Sequence, residues 1–154
     1  MTEVTIKDPS PRKKAMDLLA RREHSVAELR AKLIAREFEV DEVDGALARL
    51  AEEGLVSDER FAEAYVASRV RKGQGPLRIR VELERRGVSS DFITTCLERG
   101  DIDWDDLARS VRVKKFGSVR IENYREWARQ AKFLQYRGFT GDQISHVLGK
   151  DQGR

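Results

Sequence analysis

Cysteine and histidine are scarce in this 154-residue sequence. The single cysteine, Cys96, has no partner for an intramolecular disulfide, which is typical of proteins from a reducing cytoplasm. We expect it to pack as a small hydrophobe. The two histidines, His24 and His146, lack the cysteine or aspartate spacing of a metal site or an activated nucleophile. We therefore predict a cytoplasmic protein that is not an enzyme and has no catalytic residue, no metal and no cofactor.

Long apolar runs and aromatic residues are also few. No stretch approaches ~18 uninterrupted apolar residues, so we expect no membrane association through a spanning helix. Residues 1–12 carry acids and prolines without the apolar region of a signal peptide, and we interpret them as a flexible tail. Aromatics make up 7% and charged residues 37% of the chain, with three prolines. This composition favours helices over a β-sandwich or barrel.

A unit of about fifty residues occurs three times. Four apolar positions separated by five, five and four residues recur as Leu33, Phe38, Val43 and Leu47; Leu83, Val88, Ile93 and Leu97; and Leu134, Phe139, Ile144 and Leu148. Stacked copies of one unit offer long surfaces to partners. We predict an all-α fold of three tandem three-helix repeats in an elongated, curved array. The repeats are expected at 13–56, 57–103 and 104–150, followed by a C-terminal tail at 151–154.

Two capping patterns mark helix starts. Ser25 is followed three residues later by Glu28, and Thr140 is followed in the same way by Gln143. In such a capping box, the hydroxyl accepts a hydrogen bond from the backbone of the third helical residue, whose side chain bonds back to the cap. We predict that one helix of the first repeat and the last helix of the chain begin at these positions.

Glu37 breaks the pattern that glycines set in the other two repeats. Gly87 and Gly138 follow apolar-periodic helical segments, where a left-handed residue often ends a helix. Glu37 occupies the corresponding position of the first repeat. Because a left-handed glutamate costs about 1 kcal/mol, we expect the first repeat to turn differently.

Charge alternates with the same period. Segments 12–36, 69–86 and 109–137 are basic, whereas 37–63 and 87–108 are acidic, so the net charge of +3 conceals strong local charge. Neighbouring basic and acidic helices can form solvated ion pairs of roughly 0 to 1 kcal/mol each. Alternatively, the basic helices align into a positive stripe that follows a phosphate backbone or an acidic groove. Both interpretations fit the sequence.

Two short segments resemble ligand sites but are better explained by local structure. Residues 72–76, Lys-Gly-Gln-Gly-Pro, lack the preceding strand and the Gly-Lys-Ser/Thr ending of a phosphate loop. We predict a turn there, with Pro76 at the first helical position. Four aspartates between 101 and 106 lack the twelve-residue loop and terminal glutamate of a calcium site. We expect them to cap the helix that starts near Trp104.

The ordered motifs of the chain are specific to one family. The second repeat carries Ser-Asp-Glu-Arg-Phe-Ala at 57–62, Tyr65, Arg69 and the frame Gly75-x3-Ile79-x3-Leu83-x2-Arg86-Gly87-Val88. The other repeats carry Glu28-Leu29-x3-Leu33, and Phe133-Leu134-x2-Arg137-Gly138-Phe139 with Ile144-x2-Val147-Leu148. Over residues 14–148 this set resembles RecX, the regulator of the RecA recombinase.

The resemblance implies a function as well as a fold. RecX proteins consist of tandem three-helix repeats, are not enzymes and bind RecA filaments within the helical groove. They limit filament growth and suppress ATP hydrolysis and strand exchange, and some also bind DNA. The resemblance therefore implies a monomeric regulator of homologous recombination, DNA repair and the SOS response. Its expected partners are the RecA filament and single- or double-stranded DNA.

Basic residues of the second and third repeats are the predicted contacts with the partner or with DNA. They are Arg69, Arg71, Lys72, Arg78, Arg80, Arg85, Arg86, Lys114, Lys115, Arg129, Lys132 and Arg137. One alternative function is a helical-repeat module that acts directly on DNA or RNA. Another is a scaffold whose charges serve only solubility.

Overall fold

The computed structural model describes residues 10–150, which contain nine α-helices and no strand. In chain order the helices are α1 Pro11–Leu19, α2 Val26–Ala35, α3 Val40–Glu52, α4 Asp58–Arg71, α5 Pro76–Arg85, α6 Ser90–Glu98, α7 Trp104–Phe116, α8 Tyr124–Tyr136 and α9 Gly141–Leu148. The three triplets confirm the predicted all-α repeats. Helix α1 begins two residues inside the expected N-terminal tail, and residues 1–9 and 151–154 of the two expected tails lie outside the described residues.

The described chain divides into two compact units. Unit 1 comprises residues 10–62 and Arg86–Val88, and unit 2 comprises residues 63–85 and 89–150. The division falls within α4, so the second repeat contributes to both units. Most of the predicted basic contacts belong to unit 2.

The apolar positions of the repeat form the cores of both units. In unit 1, helices α1 to α3 bury Ala15, Leu18, Leu29, Leu33, Val43, Leu47, Leu50 and Val56 in one cluster. In unit 2, helices α7 to α9 bury Ala108, Val111, Leu134, Phe139 and Ile144. Each large aliphatic side chain removed from water contributes about 1.5–3 kcal/mol. Cys96 is 4% exposed, as expected of a small core residue.

The helix starts follow the sequence patterns. Both capping boxes form: Ser25 Oγ accepts from the backbone N–H of Glu28 at 3.0 Å, and Thr140 Oγ1 accepts from that of Gln143 at 3.1 Å. Asp103 caps α7 by accepting from the backbone of Asp106 at 2.9 Å. These side chains satisfy backbone donors that a helix leaves unpaired.

Glu37 adopts the left-handed conformation that we expected it to avoid, so that prediction is wrong. Its φ is 68°, close to the 81° of Gly87. The backbone N–H of Glu37 donates to the Ile34 carbonyl at 2.9 Å, and that of Phe38 donates to Leu33 at 3.4 Å. These bonds, together with the packing of Phe38 on the core, outweigh a strain of about 1 kcal/mol.

The corresponding glycines are required by space as well as by backbone angle. A Cβ on Gly87 would lie 2.5 Å from the Cβ of Ala27, and one on Gly138 would lie 2.4 Å from the Cβ of Arg78. The side chain of Glu37 is exposed instead. The first repeat therefore tolerates a residue that the other two repeats exclude.

Replacing Glu37 with glycine is expected to raise the free energy of unfolding by about 1 kcal/mol, because glycine adopts a positive φ without strain. Urea denaturation followed by circular dichroism measures the change. Glu37→Ala retains the Cβ and is the matched control, with an expected change within about 0.5 kcal/mol. A glycine variant no more stable than the alanine variant would contradict the assignment of strain to Glu37.

A close backbone contact joins the second and third repeats within unit 2. The backbone N–H of Gly75 donates to the Arg137 carbonyl at 2.8 Å, and that of Leu77 donates to the Gly138 carbonyl at 2.9 Å. The start of α5 is thus hydrogen-bonded to the turn that follows α8. A similar contact occurs in unit 1, where Ser25 Oγ donates to the Arg86 carbonyl at 2.7 Å.

Candidate partner-binding surface

The predicted basic contacts separate into residues with acidic or polar partners and residues without them. Eleven of the twelve lie in unit 2, and Arg86 lies in unit 1. A cation that is already paired inside the protein gains less from a partner, because its charge is compensated. Pairing therefore distinguishes cations that maintain the fold from cations that are available for binding.

Arg69 and Arg78 are paired with one carboxylate. Glu82 lies 3.7 Å from the Nε of Arg69 and 3.6 Å from the Nε of Arg78. Tyr65 also donates its hydroxyl to Glu82 at 3.0 Å, and the Arg69 guanidinium lies 4.7 Å from the centre of the Tyr65 ring. Arg69 therefore connects α4 to α5, whereas the pair of Arg78 with Glu82 lies within α5.

Arg80 and Arg86 also have partners within their own units. Arg80 donates to Thr94 Oγ1 at 3.0 Å, which connects α5 to α6. Arg86 lies 3.5 Å from Glu28 in unit 1. Burial alone would raise the pKa of Glu28, but hydrogen bonds from the Arg22 side chain and the Ser25 backbone lower it below its usual value. Glu28 therefore remains charged opposite Arg86.

Arg129 is neutralised by Glu126 one helical turn away. Its Nη2 donates to Glu126 at 2.8 Å, and Gln130 donates to the same carboxylate at 2.9 Å. These two bonds lower the pKa of Glu126 to about 2. Arg112, outside the predicted set, donates to Gln130 at 2.8 Å and continues the network. This face of α8 is internally satisfied.

Five of the predicted cations line one cleft in unit 2, with a volume of about 390 Å³. The helix ends determine their positions: Arg71 ends α4, Lys114 and Lys115 lie in the last turn of α7, and Arg137 caps the end of α8. Lys72 follows α4 in the turn before α5. Basic side chains at helix C-termini are favoured by the negative end of the helix dipole.

Within residues 10–150, no carboxylate lines this cleft and none of its five cations forms an ion pair. The Nε of Arg137 is buried and has no hydrogen-bond acceptor in the part of the chain that the structure describes. The positive charge of this cleft is therefore not compensated by any carboxylate of the described residues. We refer to Arg71, Lys72, Lys114, Lys115 and Arg137 with their surroundings as the cationic cleft.

Two aromatic rings support the cationic cleft. Phe133 lines it and packs edge-on against Phe116, with ring centres 5.3 Å apart. Lys115 and Arg137 each lie 5.6 Å from the centre of the Phe133 ring. Such cation–π contacts contribute about 0.5–1 kcal/mol at exposed sites. The rings therefore help to hold both cations at the cleft wall.

Gly73 forms part of the cleft and was missed as a site residue. The expected turn at 72–76 is confirmed, and Pro76 is the first residue of α5. Gly73 has a φ of 79°, and a Cβ at this position would lie 2.9 Å from Cγ2 of Val111. The absence of a side chain thus keeps the cleft open. The sequence shows two glycines in this turn, which is a signal for such a role. It does not show that Gly73 lies opposite α7.

The two remaining predicted residues, Arg85 and Lys132, are exposed and lie outside the cleft. The structure therefore brings together only part of the predicted set. Five residues form the cleft, five are paired with neighbouring side chains, and these two are separate.

The two histidines have local partners. His24 is buried, with Nδ1 3.0 Å from the Arg22 carbonyl and Nε2 3.0 Å from Lys32 Nζ. Burial lowers the pKa of His24 below its usual value. The exposed His146 lies 2.9 Å from Asp105. Their contacts tie neighbouring segments of each unit together.

No helix within residues 10–150 is long and apolar enough to cross a lipid bilayer.

Profiles of the RecX family match nearly the whole chain. The profile of "RecX, first three-helix domain" matches residues 12–50, that of the second domain matches 57–97, and that of the third matches 101–148. The matches confirm the resemblance that the sequence motifs indicated. Their order along the chain is that of the three helical triplets.

Similar proteins bear the same family name. The "Regulatory protein RecX" of Halorhodospira halophila is 47% identical over 144 residues, which is 94% of this chain and 89% of the relative. That of a Pseudomonas fluorescens strain is 45% identical over 137 residues, covering 89% and 88%.

Solved RecX structures share the fold. RecX from Lactobacillus salivarius aligns with a TM-score of 0.74 at 19% identity, over 90% of this chain and 92% of that one. A second RecX crystal structure aligns with a TM-score of 0.75 at 21% identity, over 90% and 71%. The three profile matches and the similarity to the curated relatives show that the chain belongs to the RecX family of regulatory proteins.

Proposed function

We propose that this chain binds the RecA recombinase filament in its groove and inhibits ATP hydrolysis, filament growth and strand exchange. The observation that carries the proposal is the match of three consecutive RecX domains between residues 12 and 148. The relatives are named as regulatory proteins, and we assign no catalytic step to the chain. The proposal places it in the cytoplasm as a monomer.

The uncompensated charge of unit 2 supports this proposal. A filament groove presents acidic side chains, DNA phosphates or both, and either group would neutralise the cationic cleft. Several weak contacts distributed over successive repeats add up to high avidity without a deep pocket. A chain held in the groove would hinder the docking of the next protomer and the entry of a second DNA strand.

Titration of ATP hydrolysis by DNA-bound RecA tests the proposal. We expect the hydrolysis rate to fall in a saturable way as the chain is added, because each bound copy blocks filament sites. Bovine serum albumin at equal concentration controls for nonspecific effects. An unchanged rate at a chain concentration well above that of RecA would contradict the proposed function.

Direct action on nucleic acid is the second candidate, since the cationic cleft and a pI of about 9.1 favour polyanions. Binding to free DNA through phosphates weakens steeply as salt rises. Inhibition of RecA that persists at salt abolishing binding to free DNA supports the regulator. Loss of both activities at the same salt concentration supports the DNA or RNA module.

A further inference from the structure

We infer that the cationic cleft is a binding site for a compact polyphosphate, such as a linear tripolyphosphate or the triphosphate of a nucleotide. This inference goes beyond the proposed function, because it concerns a small ligand of the isolated chain. It rests on the charge, the size and the wall structure of the cleft.

The cleft gathers five cations in one place, with no carboxylate among its lining residues between 10 and 150. Elsewhere, arginines such as Arg12, Arg30 and Arg60 contact carboxylates at 2.7 to 2.8 Å. The five cations of the cleft come from the ends of three helices and contact no carboxylate within residues 10–150. Like charges held close together raise the free energy of the empty site, and a multivalent anion relieves that repulsion.

The size and walls of the cleft favour a small ligand over a peptide. Its volume of about 390 Å³ lies within the range of about 300–1,000 Å³ that is usual for small-molecule sites. All its walls are helices or a turn, so no free strand edge is available to hold an extended acidic peptide by its backbone. Leu107 and Val111 supply apolar surface, and Gly73 leaves space opposite Val111.

The spread of the cations favours several linked phosphates over one. Arg71 and Lys72 belong to one segment, Lys114 and Lys115 to a second, and Arg137 to a third. A chain of phosphates offers several anionic groups to the three segments at once, whereas a single orthophosphate offers one. Arginine offers planar paired donors to phosphate oxygens, and lysine adds point charges. The Ser110 hydroxyl, which also lines the cleft, adds a neutral donor.

Isothermal titration calorimetry on the full chain tests this site, at a constant ionic strength of about 0.15 M. Inorganic tripolyphosphate, magnesium-free ATP and orthophosphate are the three ligands. We expect saturable 1:1 binding of tripolyphosphate, with orthophosphate at least about tenfold weaker. Tighter binding of ATP than of tripolyphosphate assigns the site to a nucleotide, whereas equal or weaker binding assigns it to an inorganic chain; both results support a polyphosphate site.

Matched variants locate the binding. The double variant Lys114→Gln, Lys115→Gln is expected to weaken tripolyphosphate binding at least about tenfold. The control Arg21→Gln, Arg49→Gln removes the same charge from exposed residues of unit 1 and should bind as the unchanged chain does. Lys72→Gln provides a second test from another wall, and circular dichroism melting verifies that each variant is folded.

Three results would overturn the inference. One is the absence of saturable tripolyphosphate binding, and another is equal weakening by the cleft and control variants. The third is binding of a single-stranded oligonucleotide through Lys114 and Lys115 when tripolyphosphate binding is not saturable. That result would make the cleft a contact for a nucleic-acid strand. None of these results depends on RecA, so each can be distinguished from failure of the proposed function.

Discussion

Replacing Gly75 with alanine is expected to lower the free energy of unfolding by about 3 kcal/mol. A Cβ at this position would lie 2.4 Å from the carbonyl carbon of Gly138 and 2.5 Å from the backbone nitrogen of Phe139. These are backbone atoms, so no side chain can rotate away to make room. The backbone could move away from the added Cβ only by breaking the hydrogen bond from Gly75 to the Arg137 carbonyl, which joins the second and third repeats. Urea denaturation followed by circular dichroism measures the loss.

Gly45→Ala is the matched control for this substitution. Gly45 lies inside α3, and a Cβ there meets no atom within 4 Å. Alanine favours a helix over glycine by about 0.8–1 kcal/mol, so this variant should be more stable than the unchanged chain. A Gly75→Ala variant within about 0.5 kcal/mol of the unchanged chain would contradict the close backbone approach.

Much of the fold could be predicted because its determinants are local or periodic. Ten of the twelve apolar positions repeated from Leu33, Leu83 and Leu134 are buried, and the other two, Phe38 and Leu148, are half-buried. The capping boxes depend on residues only three positions apart, and they form as expected. The backbone conformation of Glu37 was predicted wrongly. Residue propensity gives the strain of a left-handed glutamate, but the hydrogen bonds that outweigh this strain are visible only in the structure.

The candidate surface could be predicted only in part, because pairing depends on packing between helices. The sequence identified the basic segments, but it could not show that Arg69 lies beside Glu82 or that Arg80 contacts Thr94. The cationic cleft combines the ends of α4, α7 and α8, which are far apart in the chain. Phe133 lies within a basic segment of the sequence, but its contact with Phe116 at the cleft is visible only in the fold.

Reversing the charge of Lys114 and Lys115 to glutamate is expected to raise the chain concentration needed for half-maximal inhibition of RecA ATP hydrolysis at least about tenfold. Both lysines are exposed and form no ion pair within residues 10–150, so the reversal places negative charge where the filament would meet positive charge. The ATP hydrolysis titration measures the shift. Arg21→Glu, Arg49→Glu introduces the same change of charge in unit 1 and is expected to shift the concentration less than about twofold.

Arg129→Gln tests whether a cation that is already paired inside the protein contributes to inhibition. Because Glu126 and Arg129 neutralise each other at 2.8 Å, removal of Arg129 should change inhibition less than about twofold, although this arginine lies in the densest basic segment. If Arg129→Gln weakens inhibition as much as the lysine reversal does, basic composition rather than pairing determines binding. If the lysine reversal leaves inhibition unchanged in a folded variant, the cationic cleft does not contact the filament.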